Sequence, residues 1–412
     1  MTAETRVPRE GEWWGTDAHR AYLLDDAQRQ LAFFRKSLAP AGGFHAQDFD
    51  GNHIVGAPRE LHATTRMVHS FALGRLAGFP DTEDMIDHGM RTLLKHHRDA
   101  RNGGYVWAFA PDGTVMDDRK LAYGHAFVLL AGASAKMVGH PDADRLIADV
   151  MEVIDLRFWD SATGRMKEEY TGDWRAFSTY RGMNANMHMS EALLAAAEAT
   201  DDMGYARRAR GIFDFFVGEI GAAHGWRLPE HYTEGWRVDP DYEGNPMFRP
   251  RGATPGHSFE LARLLLQLRD LDGSSEAELL EWSRNLYDRA LADGWESERG
   301  GIIYTVDPAN GAPLRRSRYW WPVTEAIGAA AALIKAGDDR RNDYRMFWRA
   351  GERLFMDQER GGWLPEVDDA GRPESSQFIG KPDIYHSLQA DLFPLMPGIS
   401  GVKQGLASLE AR

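Results

Sequence analysis

Residues 326–337 read AIGAAAALIKAG, and this stretch decides the fold. All of it except Lys335 is small or apolar, so a helix here has no polar stripe to turn to water. Such a helix is buried on every side. The stretches AFVLLAGASAKM (126–137) and EALLAAAEA (191–199) have the same character. Between them lie segments with charge on one face, such as DAQRQLAFFRKSL (26–38) and YARRARGIFDFF (205–216). Buried helices alternating with half-buried ones describe an inner layer wrapped by an outer one.

Working outward, helical periodicity recurs twelve times, over 17–38, 58–77, 81–98, 120–138, 141–156, 185–199, 202–219, 255–271, 275–292, 322–336, 339–356 and 383–395. The connections after the even-numbered helices are short: AGFP, VGHP, TDD, LDGS and AGDD. Those after the odd-numbered helices are long and rich in Gly, Trp, Asp and Arg. Short loops join antiparallel neighbours, so every long loop lies at the same end. The expectation is an all-α (α/α)6 barrel of six helical hairpins, one domain over 1–412, with a plain face and an elaborated face. GGYVWAF (103–109) and GIIYTVD (301–307) read as short hairpins in the long loops. SGVKQGLASLEAR at 400–412 carries no evident chemistry.

Composition removes several classes of function. The formal net charge of -14 argues against nucleic acid or an anionic membrane as partner. With no cysteine, there is no disulfide, thiolate catalyst or Cys-ligated zinc. No segment approaches the ~20 apolar residues of a membrane span. MTAETRVPREGEWWG has no apolar core of a signal peptide, so the expected compartment is the cytoplasm. Homo-oligomerisation stays open.

The starts of the even helices are polar where an inner helix should be apolar. They offer Arg66 and His69; Tyr123 and His125; Arg181, Asn184, Asn186 and His188; His257 and Glu260; Trp321 and Glu325; and Lys381, Asp383, Tyr385 and His386. Taken singly, each has an ordinary structural explanation: a cap, a bridge between helices, a packed ring. His69, a turn deeper than Arg66, is read as structural. Together, six helix starts converging on one axis define a polar pocket, because unpaired polar burial is costly. Pairs such as His257/Glu260 and Asp383/His386 share a helix face by their i, i+3 spacing. Thr254-Pro255 reads as an N-cap and first helical residue. Histidines, an arginine and asparagines predominate over carboxylates, and HExxH is absent, so no metal or other cofactor is expected.

The stretches TRMVHS (65–70), RGMNANMHMSEALL (181–194), TPGHSFE (254–260), WPVTEAIG (321–328) and GKPDIYH (380–386) together resemble the bacterial aldose–ketose isomerases of the N-acylglucosamine 2-epimerase superfamily. The resemblance runs over nearly the whole chain. It implies an (α/α)6 barrel, a cofactor-free site and a monosaccharide substrate. It assigns acid–base work to His257 and His386, assistance to His188 and Glu260, and substrate binding to Arg66 and Asn184; Tyr123, Trp321, Glu325 and Asp383, read from the helix starts, complete the expected pocket. The implied reaction interconverts D-mannose and D-fructose through a cis-enediol, with D-lyxose and D-xylulose as a further pair. Members acting on sulfoquinovose carry glutamines in the segments that read here GGWLPE and GKPDIYH. Pro365 and Pro382 in those segments favour a neutral hexose, since proline has no donor to offer a sulfonate.

On this reading His386 moves the carbon proton and His257, oriented by Glu260, opens the ring or handles oxygen protons; the two roles are exchangeable. A sugar 2-epimerase would use much the same pocket. An inverting glycosidase would need two of Glu260, Glu325, Asp117 and Asp383 at ~6.5–9.5 Å. A non-catalytic sugar-binding module is the remaining class.

Overall fold

In the computed structural model, which describes residues 7–9, 11–245, 247–273 and 276–410, the alternating helices form two concentric rings. In chain order the helices are α1 (Asp17–Arg35), α2 (Leu61–Leu76), α3 (Glu83–Thr92), α4 (Ala122–Met137), α5 (Ala143–Val153), α6 (Met183–Thr200) and α7 (Met203–Phe213). They continue as α8 (Pro255–Leu271), α9 (Ala277–Gly294), α10 (Trp320–Lys335), α11 (Arg341–Leu354), α12 (Tyr385–Leu392) and α13 (Val402–Glu410). The six even-numbered helices pack side by side in a closed ring, α2 on α4 and so round to α12, which returns to α2. Each of α3, α5, α7, α9 and α11 lies outside the helix before it, and α1 lies against α12.

The chemistry of each ring follows its sequence. In α10 everything from Trp320 to Leu333 is buried, and its run of alanines lets neighbouring backbones come close. In α11 the buried residues are Tyr344, Phe347, Trp348, Gly351 and Leu354 with Ala350, the one-sided spacing of an outer helix. The result is an (α/α)6 barrel. Among the described residues, no helix is long and apolar enough to cross a membrane.

The expected ranges differ from the structure at several ends. α3, α5 and α7 each finish in a π turn, at Leu93–His97, Ile154–Phe158 and Asp214–Gly221. α12 starts at Tyr385 rather than 383, because the Asp383 carboxylate accepts the Tyr385 N–H at 2.9 Å and so stands outside the helix. α13, formed by Val402–Glu410, was not among the twelve expected helices.

The long loops are organised by many short strands, more than the two hairpins expected. Pairs such as Arg59–Glu60 with Ala108–Phe109, Lys120–Leu121 with Glu169–Tyr170, and Arg181–Gly182 with His231–Tyr232 stand directly in front of α2, α4 and α6. A longer antiparallel pair, Ile303–Val306 with Pro313–Tyr319, leads into α10. These strands solve a capping problem. The residues before α2, α4, α6, α8 and α10 make no side-chain cap hydrogen bond, Thr254 included. Instead the first N–H of α2, α4, α6 and α10 donates to a carbonyl of the next long loop: Leu61 to Trp107, Ala122 to Glu168, Met183 to Glu230 and Trp320 to Pro365. Helix starts that would otherwise be orphaned at a buried end are thus satisfied by loop backbone. The mouth of the barrel is one interlocked rim.

Candidate active site

Two layers of side chains follow from that rim. Near the top of the inner helices stand Tyr123, Asn184, His257, Trp321 and His386; one turn below them stand Arg66, His188, Glu260 and Glu325. Spacings of i, i+3 and i, i+4 stack one layer on the other, as with Asn184 and His188 or Trp321 and Glu325. Nine of the ten expected site residues line one cavity of about 90 Å³: Arg66, Tyr123, Asn184, His188, His257, Glu260, Trp321, Asp383 and His386. Glu325 stands behind His386 instead of facing the cavity.

Two carboxylate–imidazole pairs organise the top layer. His257 Nδ1 lies 2.8 Å from Glu230 Oε1, and His386 Nδ1 lies 2.7 Å from Glu325 Oε1. An ionised carboxylate only accepts, so each Nδ1 carries the hydrogen and each Nε2 is left with a free lone pair. The Trp321 ring packs against both imidazoles, with centroids 5.0 Å from His257 and 5.7 Å from His386, tilted 32° to both. Gly256 makes this possible, since a Cβ there would fall 2.5 Å from the indole.

The partner of His257 corrects the sequence reading, which had Glu260 orient that ring. Glu260 points to α6, with Oε1 3.5 Å from His188 Nδ1, whereas Glu230 arrives from the rim loop whose carbonyl caps α6. Glu230 escaped notice because it sits in a loop. A signal existed: LPE occurs at 228–230 and again at 364–366, the same place in two long loops. The sequence reading also passed over His62, Met247, Phe248, Tyr304, Trp320 and Phe378, which supply most of the remaining wall.

Electrostatics of the floor are set by burial. Burial pulls the His188 pKa down to about 4, against the pull of Glu191, so the ring is neutral near pH 7. Burial pushes the Tyr123 hydroxyl up to about 12. Arg66 donates to Asp383 Oδ2 at 2.9 Å and to Tyr123 Oη at 2.8 Å, and its guanidinium lies over the Phe127 and Tyr385 rings. Burial alone would raise Asp383, but Arg66, with His386, the Tyr385 N–H and His62 adding to it, holds the carboxyl below its usual range. Deeper still, Arg263 stands 3.4 Å from Glu191 and 3.6 Å from Glu325. Its positive charge, with the nearby His188, keeps Glu191 ionised in spite of burial. Asn184 Oδ1, Arg66 Nε, His188 Nδ1 and both Glu260 oxygens are buried with no hydrogen-bond partner in the protein.

Other polar residues at the helix starts serve the scaffold. His69 spans Ser134 and Gln389 at 2.7 and 3.1 Å, in keeping with its structural reading. His125 ties the 98–109 loop through the Tyr105 N–H, and Asn186 does the same for Met166. Lys381 pairs with Asp357 at 2.7 Å, and Arg181 faces Glu234 at 3.7 Å. Tyr385 donates to Glu191.

Two donor sets, His188/Glu191/Glu260 and Glu260/Glu325/His386, each gather within 4.8 Å, a spacing a metal ion accepts. Arg263 already compensates Glu191 and Glu325, which leaves a cation less to neutralise there. Of the carboxylates an inverting glycosidase would need, Asp383 is committed to Arg66 and Asp117 to Arg119. Oxygens of Glu260 and Glu325 approach within 4.8 Å, closer than the ~6.5–9.5 Å that admits an attacking water. A larger cavity of about 570 Å³ adjoins the first through Tyr123, Asn184 and Phe248, but its charges pair among themselves, as in Glu169 with Arg249. The arrangement in the smaller cavity therefore offers two orientable bases, a neutral imidazole, an arginine and an unpaired buried carboxyl around a space for a small polar molecule.

Comparison with known proteins agrees with this outline. Residues 42–390 match the N-acylglucosamine 2-epimerase (GlcNAc 2-epimerase) family. The D-mannose isomerase of Thermobifida fusca is 40% identical over 404 residues, covering 96% of this chain and 99% of that protein. The D-mannose isomerase of Pseudomonas cannabina pv. alisalensis is 39% identical over 408 residues, with 97% and 98% coverage. A crystal structure of a D-mannose isomerase superposes with a TM-score of 0.85 at 31% identity, covering 91% of this chain and 97% of that one.

Proposed function

The chain belongs to the N-acylglucosamine 2-epimerase family, and from that membership we propose that it is an aldose–ketose isomerase interconverting D-mannose and D-fructose. The observation that carries the reading is the pair of imidazoles, His257 and His386, each held at Nδ1 by a carboxylate and each presenting Nε2 to one small cavity. Aldose–ketose conversion needs the ring opened, a proton moved between C2 and C1, and a proton moved between O1 and O2. A neutral imidazole suits the carbon step near pH 7.

In this mechanism one histidine opens the pyranose by shifting protons at O1 and O5, and the other takes the proton from C2 and returns it to C1. We assign the carbon step to His386 and ring opening to His257. The cis-enediolate that forms between the two steps carries charge on oxygen. Arg66, Asn184 and neutral His188 stand around the cavity to stabilise it; Arg66 and His188 are buried and Asn184 is half-buried with its Oδ1 covered, and in such surroundings dipoles and charges act strongly. Trp321 gives the sugar an apolar face to rest on beside the two bases. We read the site as metal-free, because arginine already balances Glu191, Glu325 and Asp383. D-Lyxose, with the same C2 configuration and no C6, is expected to turn over as well.

Epimerisation at C2 is the second reading, favoured by the presence of two imidazoles on different helices at one cavity. A sulfonated sugar is disfavoured by Pro382, which lines the cavity and has no hydrogen to donate. The deciding experiment is an NMR time course of purified, chelator-treated protein with D-mannose in D₂O. Fructose as first product, with deuterium entering at the carbon positions, supports the isomerase; glucose first indicates an epimerase; an inert sugar refutes both.

A further inference from the structure

Every carboxylate at the floor of the barrel but one is committed to a partner. Glu230 holds His257, Glu325 holds His386 and faces Arg263, Asp383 holds Arg66, and Glu191 accepts from Tyr385 and faces Arg263. Glu260 is wholly buried, lines the cavity, and has no hydrogen bond to either oxygen. Among the described residues no lysine or arginine forms an ion pair with it; the basic group nearest to it is the neutral His188 ring at 3.5 Å. Its oxygens also lie within 4.8 Å of those of Glu191 on one side and Glu325 on the other.

A carboxylate in that position would be an unpaired buried charge between two like charges, which is costly. The uncharged acid is the form that fits. Burial, then the charges of Glu325 and Glu191, drive the Glu260 carboxyl well above its usual range, against the more distant Arg263 and Arg66. A neutral carboxyl has one oxygen that donates and one that accepts, on adjacent positions. The two oxygens of an opened aldose, O1 and O2, sit on adjacent carbons and need the complementary exchange.

We infer that Glu260 is the group that exchanges the two oxygen protons of the substrate, giving one to O1 from one carboxyl oxygen while taking the proton of O2 on the other. The histidine base removes the proton from C2, and the C2–H electrons form the C1–C2 double bond. The C1=O1 π electrons become the O–H bond to the proton leaving Glu260. The resulting enediol then gives its O2 proton to the second Glu260 oxygen, O2 forms its double bond to C2, and C1 takes the proton from the imidazolium. Glu260 ends neutral, with its proton on the opposite oxygen, ready for the reverse reaction. Arg66, from α2, and His188, from α6, hold the substrate oxygens without taking part in the exchange.

This inference rests on the isomerase reading and is tested so that the two fail separately. Wild-type and Glu260→Gln proteins are compared with D-mannose in D₂O, following fructose formation and loss of the C2 proton from recovered mannose by NMR. Glutamine keeps the shape and loses the exchangeable acid. Fructose formation is expected to fall by on the order of 10²-fold or more, the usual worth of a positioned acid–base group. Proton exchange at C2 is expected to fall much less, since His386 and Arg66 remain. Circular dichroism and mannose binding by calorimetry establish that the variant is folded. Fructose made at the wild-type rate, or a parallel loss of both signals, overturns the inference. A variant that does not fold leaves the wild-type enzyme as the test: the ratio of C2 exchange to fructose should rise with alkaline pH as Glu260 ionises, and a ratio independent of pH overturns the assignment. A wild-type protein that makes no ketose at all overturns the isomerase reading instead.

Discussion

Glu230, in the rim loop between α7 and α8, places its carboxylate 2.8 Å from His257, which stands 27 positions further along the chain. The same residue gives its backbone carbonyl to the first N–H of α6. Backbone and side chain of one loop residue thus fix two parts of the site together.

Glu230→Ala is expected to leave a folded barrel whose kcat for mannose falls on the order of 10²-fold, with KM nearly unchanged, because the ring loses its orientation while the walls of the cavity stay in place. Steady-state kinetics on a variant with a native circular dichroism spectrum checks it. A rise in KM alone would contradict the orienting role.

His386→Ala is expected to lose ~10²–10⁴-fold in turnover, and Glu325→Gln a smaller part of that. Since the carboxylate acts through the ring, the double variant should be no slower than His386→Ala. Additive losses would show that Glu325 acts on the substrate by itself.

Gly256→Ala adds one methyl directly against the Trp321 indole, at 2.5 Å. Gly256 lies in the first turn of α8, where alanine suits the backbone, so any harm comes from the displaced ring. We expect a loss of roughly 1–3 kcal/mol in denaturant unfolding, as for overpacked cores, together with a higher KM.

Arg66→Met leaves the Asp383 carboxylate buried without its cation, a change that costs about 3–5 kcal/mol. Asp383 is depressed in the folded wild type, so it contributes stability above the unfolded pKa that is lost as pH falls through the folded one. In the variant that trend should reverse, with stability rising toward acid. Adding Asp383→Asn should restore stability without activity.

Asp26 and Asp391 form a buried acid pair where α1 meets α12, joined by Gln30, whose side chain donates to both at 2.9 and 2.6 Å. Burial raises Asp26 to about 6, and burial with the neighbouring Asp26 drives Asp391 well above its usual range. A raised carboxyl stabilises the fold in acid and loses that contribution as pH rises through its folded pKa. Melting temperature should therefore decline as pH rises from about 4, the ordinary carboxylate value, with the Asp26 part of the decline complete by about pH 6 and the Asp391 part continuing above it; the decline should be smaller in Asp391→Asn.

Legibility followed the physics of each feature. The rings could be read because wholly apolar runs such as 326–334 and one-sided runs such as Arg341–Leu354 differ in pattern over several turns. Residues near the helix starts were legible because a polar group there breaks that pattern, as His188 and His386 do. The partners of those groups were not. Glu230 reaches His257 through a strand register set by two-residue pairings such as Gly182 with His231, and such pairings leave no periodic trace. The role of Glu260 depended on which neighbour its side chain faces, which i, i+3 spacing alone does not decide. The Thr254 hydroxyl makes no cap bond because His257 and Ser258 donate to its backbone carbonyl and loop carbonyls serve the rim elsewhere.

The interlocked mouth has an evolutionary consequence. An insertion in the 222–252 segment would tug on the first peptide of α6 through the carbonyl of Glu230 and swing the His257 imidazole through its carboxylate in the same stroke. Lineages that retune what this hollow accepts are thereby pushed to alter neighbouring segments in concert, so that new preferences should arise as correlated sets of changes around the circle more readily than as isolated ones.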